Sequence, residues 1–282
     1  MNSFVHRFLF DDLDIRGALV QLTDAWRPMH AGRGYLPAVR DLLGEVTAVT
    51  ALIGGNLKSP ARITIQLQGH GPVSLLVVDC DSGLRVRGVA HAREGLLAGS
   101  LSDLVGDGRI AMTLQAENGE PYQSLVPVEG DSVAASFEYF LAQSEQQPAR
   151  LWLRADADRA DCLFLQALPG AHARDPDGWN RVQRLGATVR RDELGLPPST
   201  LLSRLFSEET VRLFTGRVVR FHCPRDEDRV RAMLVSLGRR EVESILDEQG
   251  EIEVKDEMCN QRYRFGPEIV EQLFGPGERS LH

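Results

Sequence analysis

Residues 62–90 constrain the fold more than any other stretch. Three strand-like runs, Arg62 to Gln68, Val73 to Cys80 and Leu84 to Ala90, are separated only by Gly69-His70-Gly71-Pro72 and Asp81-Ser82-Gly83. Glycine reaches positive φ without steric cost, proline presets φ, and aspartate and serine bond to nearby backbone, so these clusters are turns. Connections this short join antiparallel neighbours, and the stretch reads as a meander. Just before it, Pro37 opens a run that places Val39, Leu42, Leu43, Val46, Val49, Leu52 and Ile53 on one helical face. That helix is expected to be the spine of the first domain.

Further runs extend the sheet. Phe4 to Phe10 and Ile15 to Leu22 alternate around Asp11-Asp12 and Asp14, and Arg109 to Ala116 with Tyr122 to Val126 form a hairpin across residues 117–121. Ser132 to Ser144 is helical, with Val133, Phe137, Phe140 and Leu141 in step and Ser132 or Asp131 as N-cap. Arg150 to Ala155 and Cys162 to Leu168 complete the set. At Pro169-Gly170 the composition turns to Pro, Gly, Ala and Asp, which marks a boundary. Beyond it Trp179, Val182, Leu185 and Val189 make one amphipathic helix, and Leu201, Leu202, Leu205 and Phe206 another, before Val211 to Phe214. Charged and breaker residues make up about half of this segment, so docking rather than propensity must hold its helices, and it is expected to unfold first.

The tail from Phe221 to Phe265 carries two of the four cysteines. Cys223 ends the apolar run Val218, Val219, Phe221. Cys259 sits in the link Met258-Cys259-Asn260-Gln261 between the runs Glu251 to Glu257 and Arg262 to Phe265, at a hairpin tip. Between them Val230, Met233, Leu234 and Leu237, then Val242, Ile245 and Leu246, repeat at helical spacing around Gly238. A strand, two short helices and a hairpin with cysteines at both ends is a common plan for small zinc-held domains; two buried thiols in a small apolar domain is an equal reading.

The remaining features set limits. A net charge of −8 and a pI near 5.4, with no basic patch, argue against a nucleic-acid partner. No window approaches a membrane span and the N-terminus lacks a signal-peptide pattern, so a cytoplasmic location is expected. Cys80 and Cys162 lie on predicted strands and are expected to fill the core. Gly54-Gly55-Asn56-Leu57-Lys58-Ser59 lacks the spacing of a phosphate loop and follows a helix, so it is expected to be a helix C-terminus. Gly-x-Ser-x-Gly and His-Glu-x-x-His are absent, and neither a catalytic residue nor a cofactor site is expected.

Several motifs resemble one family, the redox-regulated heat-shock holdases of about thirty-three kilodaltons. They are Ser236-Leu237-Gly238, Gly250-Glu251-Ile252, Asn260 and Tyr263-Arg264-Phe265 in the tail, and His6-Arg7-Phe8-Leu9-Phe10, Leu57-Lys58, Gln66-Leu67-Gln68-Gly69, Arg87-Gly88-Val89-Ala90 and Glu129-Gly130-Asp131 before it. The resemblance covers essentially the whole chain. It implies an α+β protein with a mostly antiparallel sheet domain at 1–169, a metastable helical linker at 170–217 and a small C-terminal helix and hairpin domain at 218–282. The implied activity is ATP-independent binding of unfolding client proteins, with a homodimer as one candidate working form. The family places four cysteines around one zinc in the tail, whereas this chain has Arg225 and Asp256 at two of those positions. Cys223 and Cys259 would then be a partial metal site of doubtful occupancy, with Asp256 a conceivable third ligand and His222 a fourth. From the same resemblance, Cys223 and Cys259 are expected to form a disulfide and Arg225 and Asp256 an ion pair, which leaves a weakened or altered redox switch. A thiol-dependent enzyme using either cysteine, and a constitutive binding protein with a vestigial tail, are the alternatives.

Overall fold

The structure is a computed structural model that describes residues 3–57, 59–93, 95, 99–116 and 119–275. Lys58 of the glycine-rich loop and Glu117-Asn118 of the hairpin link lie outside them. In chain order the elements are β1 (Ser3–Phe10), β2 (Ile15–Leu22), α1 (Arg27–His30), α2 (Pro37–Asn56), β3 (Ala61–Gln68), β4 (Val73–Cys80), β5 (Arg85–Ala92), α3 (Leu101–Val105), β6 (Arg109–Ala116), β7 (Tyr122–Pro127), α4 (Val133–Glu145), β8 (Ala149–Ala155) and β9 (Ala160–Ala167). There follow α5 (Ala171–Arg174), α6 (Gly178–Gly186), a 3-10 turn (Glu193–Gly195), α7 (Pro198–Leu205), β10 (Val211–Leu213), β11 (Arg217–Phe221), α8 (Glu227–Leu237), α9 (Arg239–Gln249), β12 (Ile252–Asp256), β13 (Gln261–Phe265) and α10 (Glu268–Phe274).

Two compact units result, Met1–His222 and Cys223–His282. In the first, β7-β6-β3-β4-β5-β11-β1-β2-β9-β8 form one sheet, with β10 added beside β1. Every described pairing in it is antiparallel except β11 with β5, where Arg220 faces Arg85 and Phe221 faces Val86 in parallel register. The sequence assigned residues 218–221 to the tail domain and 170–217 to a separate linker. Instead β11 is a strand of the large sheet, with Val219 and Phe221 against its core, and the linker helices belong to the first unit because Val182, Leu201, Leu202 and Phe206 pack on Phe8, Phe10 and Leu165.

The helix α2 lies across one face. Proline at its start and the apolar stripe Val39, Leu42, Leu43, Val46, Val49 and Leu52 define it, and all six are buried with Ile63, Ile65, Val78, Phe137 and Phe164. The opposite face is treated unevenly. β3 alternates buried and more exposed residues, as expected with one face covered, whereas all eight residues of β9 are buried. The second cover over β9 is the 171–206 segment. Phe8, Phe10, Leu13, Ile15, Leu19, Leu163 and Leu165 pack there against Val182, Leu194, Leu201, Leu202, Leu205 and Phe206.

The second unit has its own core of Val230, Leu234, Val242, Leu246, Ile252, Tyr263, Phe265, Ile269 and Val270. Asp226 caps α8 by accepting the Arg229 N–H at 3.0 Å, and Gly250, at a φ of 78°, ends α9 in the left-handed conformation that glycine tolerates best. Then β12 and β13 pair from Ile252↔Phe265 to Asp256↔Gln261.

Candidate functional site: a covered apolar face and a cysteine-closed tail

The cover on the first unit is fixed by both packing and polar contacts. Gly186 ends α6 directly on the Trp152 ring, where an added Cβ would come within 2.6 Å of it, so only glycine allows this approach. Phe206 meets Phe10 edge-on, with ring centroids 5.0 Å apart, and lies 6.4 Å from Phe8. Around the 3-10 turn, Gln21 Nε2 donates to Leu194 O and Leu196 O, both at 2.7 Å, which ties the turn to β2. Glu193, only 2% exposed, takes Arg190 at 2.9 Å and also pairs with Arg204. Arg159 grips Asp161 at 2.5 and 3.0 Å and reaches Gly195 O at 3.5 Å.

One carboxylate of α2 has a weaker partner from this segment. Glu45 of α2 is 22% exposed and faces Arg191 at 4.0 Å. Burial pushes its pKa up to about 7, with Arg191 opposing the shift and Asp41 adding to it. Asp161 is also raised, to about 6, by burial against the pull of Arg159. Because these folded-state values lie above the unfolded ones, the stability they contribute is present at low pH and lost as pH rises through about 6 to 7. The first unit is therefore expected to melt at a higher temperature at pH 6 than at pH 8. Glu45→Gln should flatten most of that dependence and raise stability at pH 8, by at most about 3 kcal/mol. Thermal melts of both proteins across this range check it, and an unchanged slope in the variant would refute the assignment.

In the second unit Cys223 and Cys259 form a disulfide, with Cα atoms 5.4 Å apart across a sequence separation of 36. Cys259 is 9% exposed at the hairpin tip, where its N–H is accepted by Asp256 Oδ1 at 3.2 Å. Asp256 is thus engaged within its own turn. Arg225 lies 4.7 Å over the Tyr263 ring and donates to Arg262 O at 3.4 Å. The expected ion pair between Arg225 and Asp256 is absent among the described residues. Each finds a partner that suits it better, a ring face for the planar guanidinium and a turn N–H for the short carboxylate.

These residues do not fit zinc. A tetrahedral site needs four donors, and here both sulfurs are joined to each other while one of the remaining positions carries a fixed positive charge. Asp256, the conceivable third ligand, serves the turn, and no group of three His, Cys, Asp or Glu side chains suited to a metal occurs among the described residues. The His222 N–H donates to Val86 O, which places that residue at the end of the first unit's sheet. Cys80 and Cys162 are buried in the α2 core, with burial pushing the Cys80 thiol up to about 12 and the Cys162 thiol higher still. Sequence reasoning missed Gln21, Glu45 and Glu193 as docking residues. An acid inside an otherwise apolar helical stripe was the one available signal, at Glu45.

A two-faced sheet unit followed by a small helix and hairpin unit closed by one cysteine pair defines the class of protein. The chain belongs to the Hsp33 protein family, whose profile matches residues 3–266. It is similar to the 33 kDa chaperonin of Nitrosococcus oceani, with 42% identity over 271 residues that cover 96% of this chain and 93% of the relative. It is also similar to the 33 kDa chaperonin of Methylobacillus flagellatus, 40% identical over 278 residues, covering 97% and 95%. The fold matches the crystal structure of a 33 kDa chaperonin, a heat shock protein 33 homolog, from Thermotoga maritima with a TM-score of 0.82. That pair is 21% identical and covers 97% of this chain and 98% of the other. Among the described residues no helix is long and apolar enough to cross a membrane.

Proposed function

We propose that the chain is an ATP-independent cytoplasmic holdase, which binds unfolding proteins under stress and prevents their aggregation. Family membership supports a chaperone role, and the names of the relatives point the same way. The observation that carries the mechanism is the paired apolar face. The side chains of Phe8, Phe10, Ile15, Leu19, Leu163 and Leu165 are buried in one cluster with residues of the 171–206 segment, which supplies most of their cover. Lifting that segment uncovers its own Val182, Leu201, Leu202 and Phe206 together with the sheet face, a large apolar surface of the kind that captures unfolded chains. The cover's short helices lack a core of their own, which puts it at the low end of local stability.

In this reading the partners are partly folded clients, and the disulfide tail is a redox switch altered from the four-cysteine arrangement. No catalytic role is proposed. The two free thiols are held neutral by burial, and thiol chemistry requires an accessible thiolate.

Light scattering of a chemically denatured client, diluted into buffer with and without the protein and without nucleotide, tests the proposal. Aggregation should fall as the protein approaches equimolar amounts at heat-shock temperature. Unaltered aggregation at every temperature and redox condition would reject it, and a requirement for nucleotide would reject ATP independence.

A further inference from the structure

We propose that Tyr263 organises the C-terminal unit in place of a metal, and that the Cys223–Cys259 bond is a clasp on the hairpin tip whose opening leaves the rest of that unit folded. The inference does not depend on client binding.

The tie between the arm at 223–226 and the hairpin runs through Tyr263. This residue of β13 is 1% exposed and belongs to the unit's core. Its hydroxyl accepts the Asp226 N–H at 2.9 Å and lies 3.0 Å from Gln261 Oε1, to which it donates. Gln261 in turn donates from Nε2 to Cys223 O at 2.7 Å. The Tyr263 ring carries the Arg225 guanidinium on its face at 4.7 Å. Three residues of the arm, Cys223, Arg225 and Asp226, are therefore held to β13 by contacts that use neither sulfur nor a metal ion. Fixing the arm also fixes Asp226, the cap of α8. A metal joining arm and tip would do the same work, but a divalent cation would here meet the charge of Arg225.

The disulfide adds one more tie, from the arm to Cys259. The tip keeps its shape without it, because Asp256 holds the Cys259 N–H and Asn260 supplies the left-handed step of the turn at a φ of 52°. A small dithiol can open the clasp by exchange. One of its thiolates attacks a protein sulfur to give a mixed disulfide, and its second thiolate then displaces that sulfur. Cys223 and Cys259 leave as thiols, the reagent leaves as its own disulfide, and two electrons and two protons pass to the protein. Peroxide reverses the change, taking the two electrons and two protons and leaving as water.

The experiment uses the full chain. Metal content is measured on the purified protein by mass spectrometry, and hydrogen exchange is followed in oxidised protein and in protein treated with dithiothreitol and a chelator. Zinc should be far below one per chain. Reduction should speed exchange at 223–226 and around residue 259 while α8, α9 and β13 keep their protection. Tyr263→Phe removes only the hydroxyl, and Gln261→Ala breaks the same relay from a half-buried position should the first variant fold poorly. Either should speed exchange in the arm by roughly twofold to tenfold in both redox states, the effect of one or two lost hydrogen bonds. Stoichiometric zinc, loss of protection across 227–274 under reductant and chelator, or an arm unmoved by both variants would each overturn the proposal.

Discussion

Phe206→Ala is expected to turn the protein into a holdase that needs no stress. Phe206 is buried to 1%, meets Phe10 edge-on, and anchors the far end of α7 to the sheet. Truncating a buried phenylalanine costs about 3 to 5 kcal/mol, a large fraction of the stability of any single docked segment. The loss should fall on the cover rather than on the sheet, because β1, β2 and β9 remain paired along their length and remain packed on α2 from the other side. The variant should bind a hydrophobic dye and suppress client aggregation at resting temperature, while amides of α2 exchange as slowly as in the parent protein. Val49→Ala is the control. It lies in the α2 core, so its cost should be spread over the whole unit, with no selective gain in dye binding. If Phe206→Ala lowers the melting temperature without raising dye binding or client holding, the 171–206 segment is not the cover proposed here.

Local patterning made most of this architecture readable. The meander at residues 62–90, the α2 stripe and the β12–β13 hairpin rest on periodicity and turn chemistry, which operate over a few residues. The position of β11 could not be read in that way. Its alternation of Val219 and Phe221 marks a strand, but sequence continuity with Cys223 suggested the wrong neighbour. Only the assembled sheet shows that it fills the gap between β5 and β1. The site was divided similarly. The two cysteines stood out by type and placement, whereas Tyr263 was visible merely as part of a Tyr-x-Phe motif. Its role arises from Asp226 and Gln261, one 37 residues away and one two residues away. Opposite charges at 225 and 256 suggested an ion pair, but exposed pairs contribute little, and the competing ring face and turn N–H are available only in the fold.

Heat, and not peroxide, is expected to be the stronger activator. In the four-cysteine arrangement that this tail resembles, oxidation removes zinc and with it the stability the metal lends, roughly 10 to 16 kcal/mol of apparent binding free energy in small zinc-held peptides. Such a loss exceeds what a small unit can absorb. With no zinc held, as proposed above, oxidation removes nothing of that kind. It closes a bond over a sequence separation of 36, which in the chain-entropy model stabilises the oxidised form by roughly 4 kcal/mol. Peroxide should therefore tighten the C-terminal unit. The cover of the first unit contains neither of the two buried free thiols, Cys80 and Cys162, so oxidation has no direct hold on it. Raising the temperature does act on the cover, since short docked helices open before a sheet packed on both faces. Client aggregation measured after peroxide at resting temperature should match that of untreated protein, and measured at heat-shock temperature it should fall with or without peroxide. A strong gain in holding after peroxide alone, accompanied by release of zinc, would mean that Asp256 or His222 completes a metal site in solution and that the tail is not stapled by oxidation but released by it.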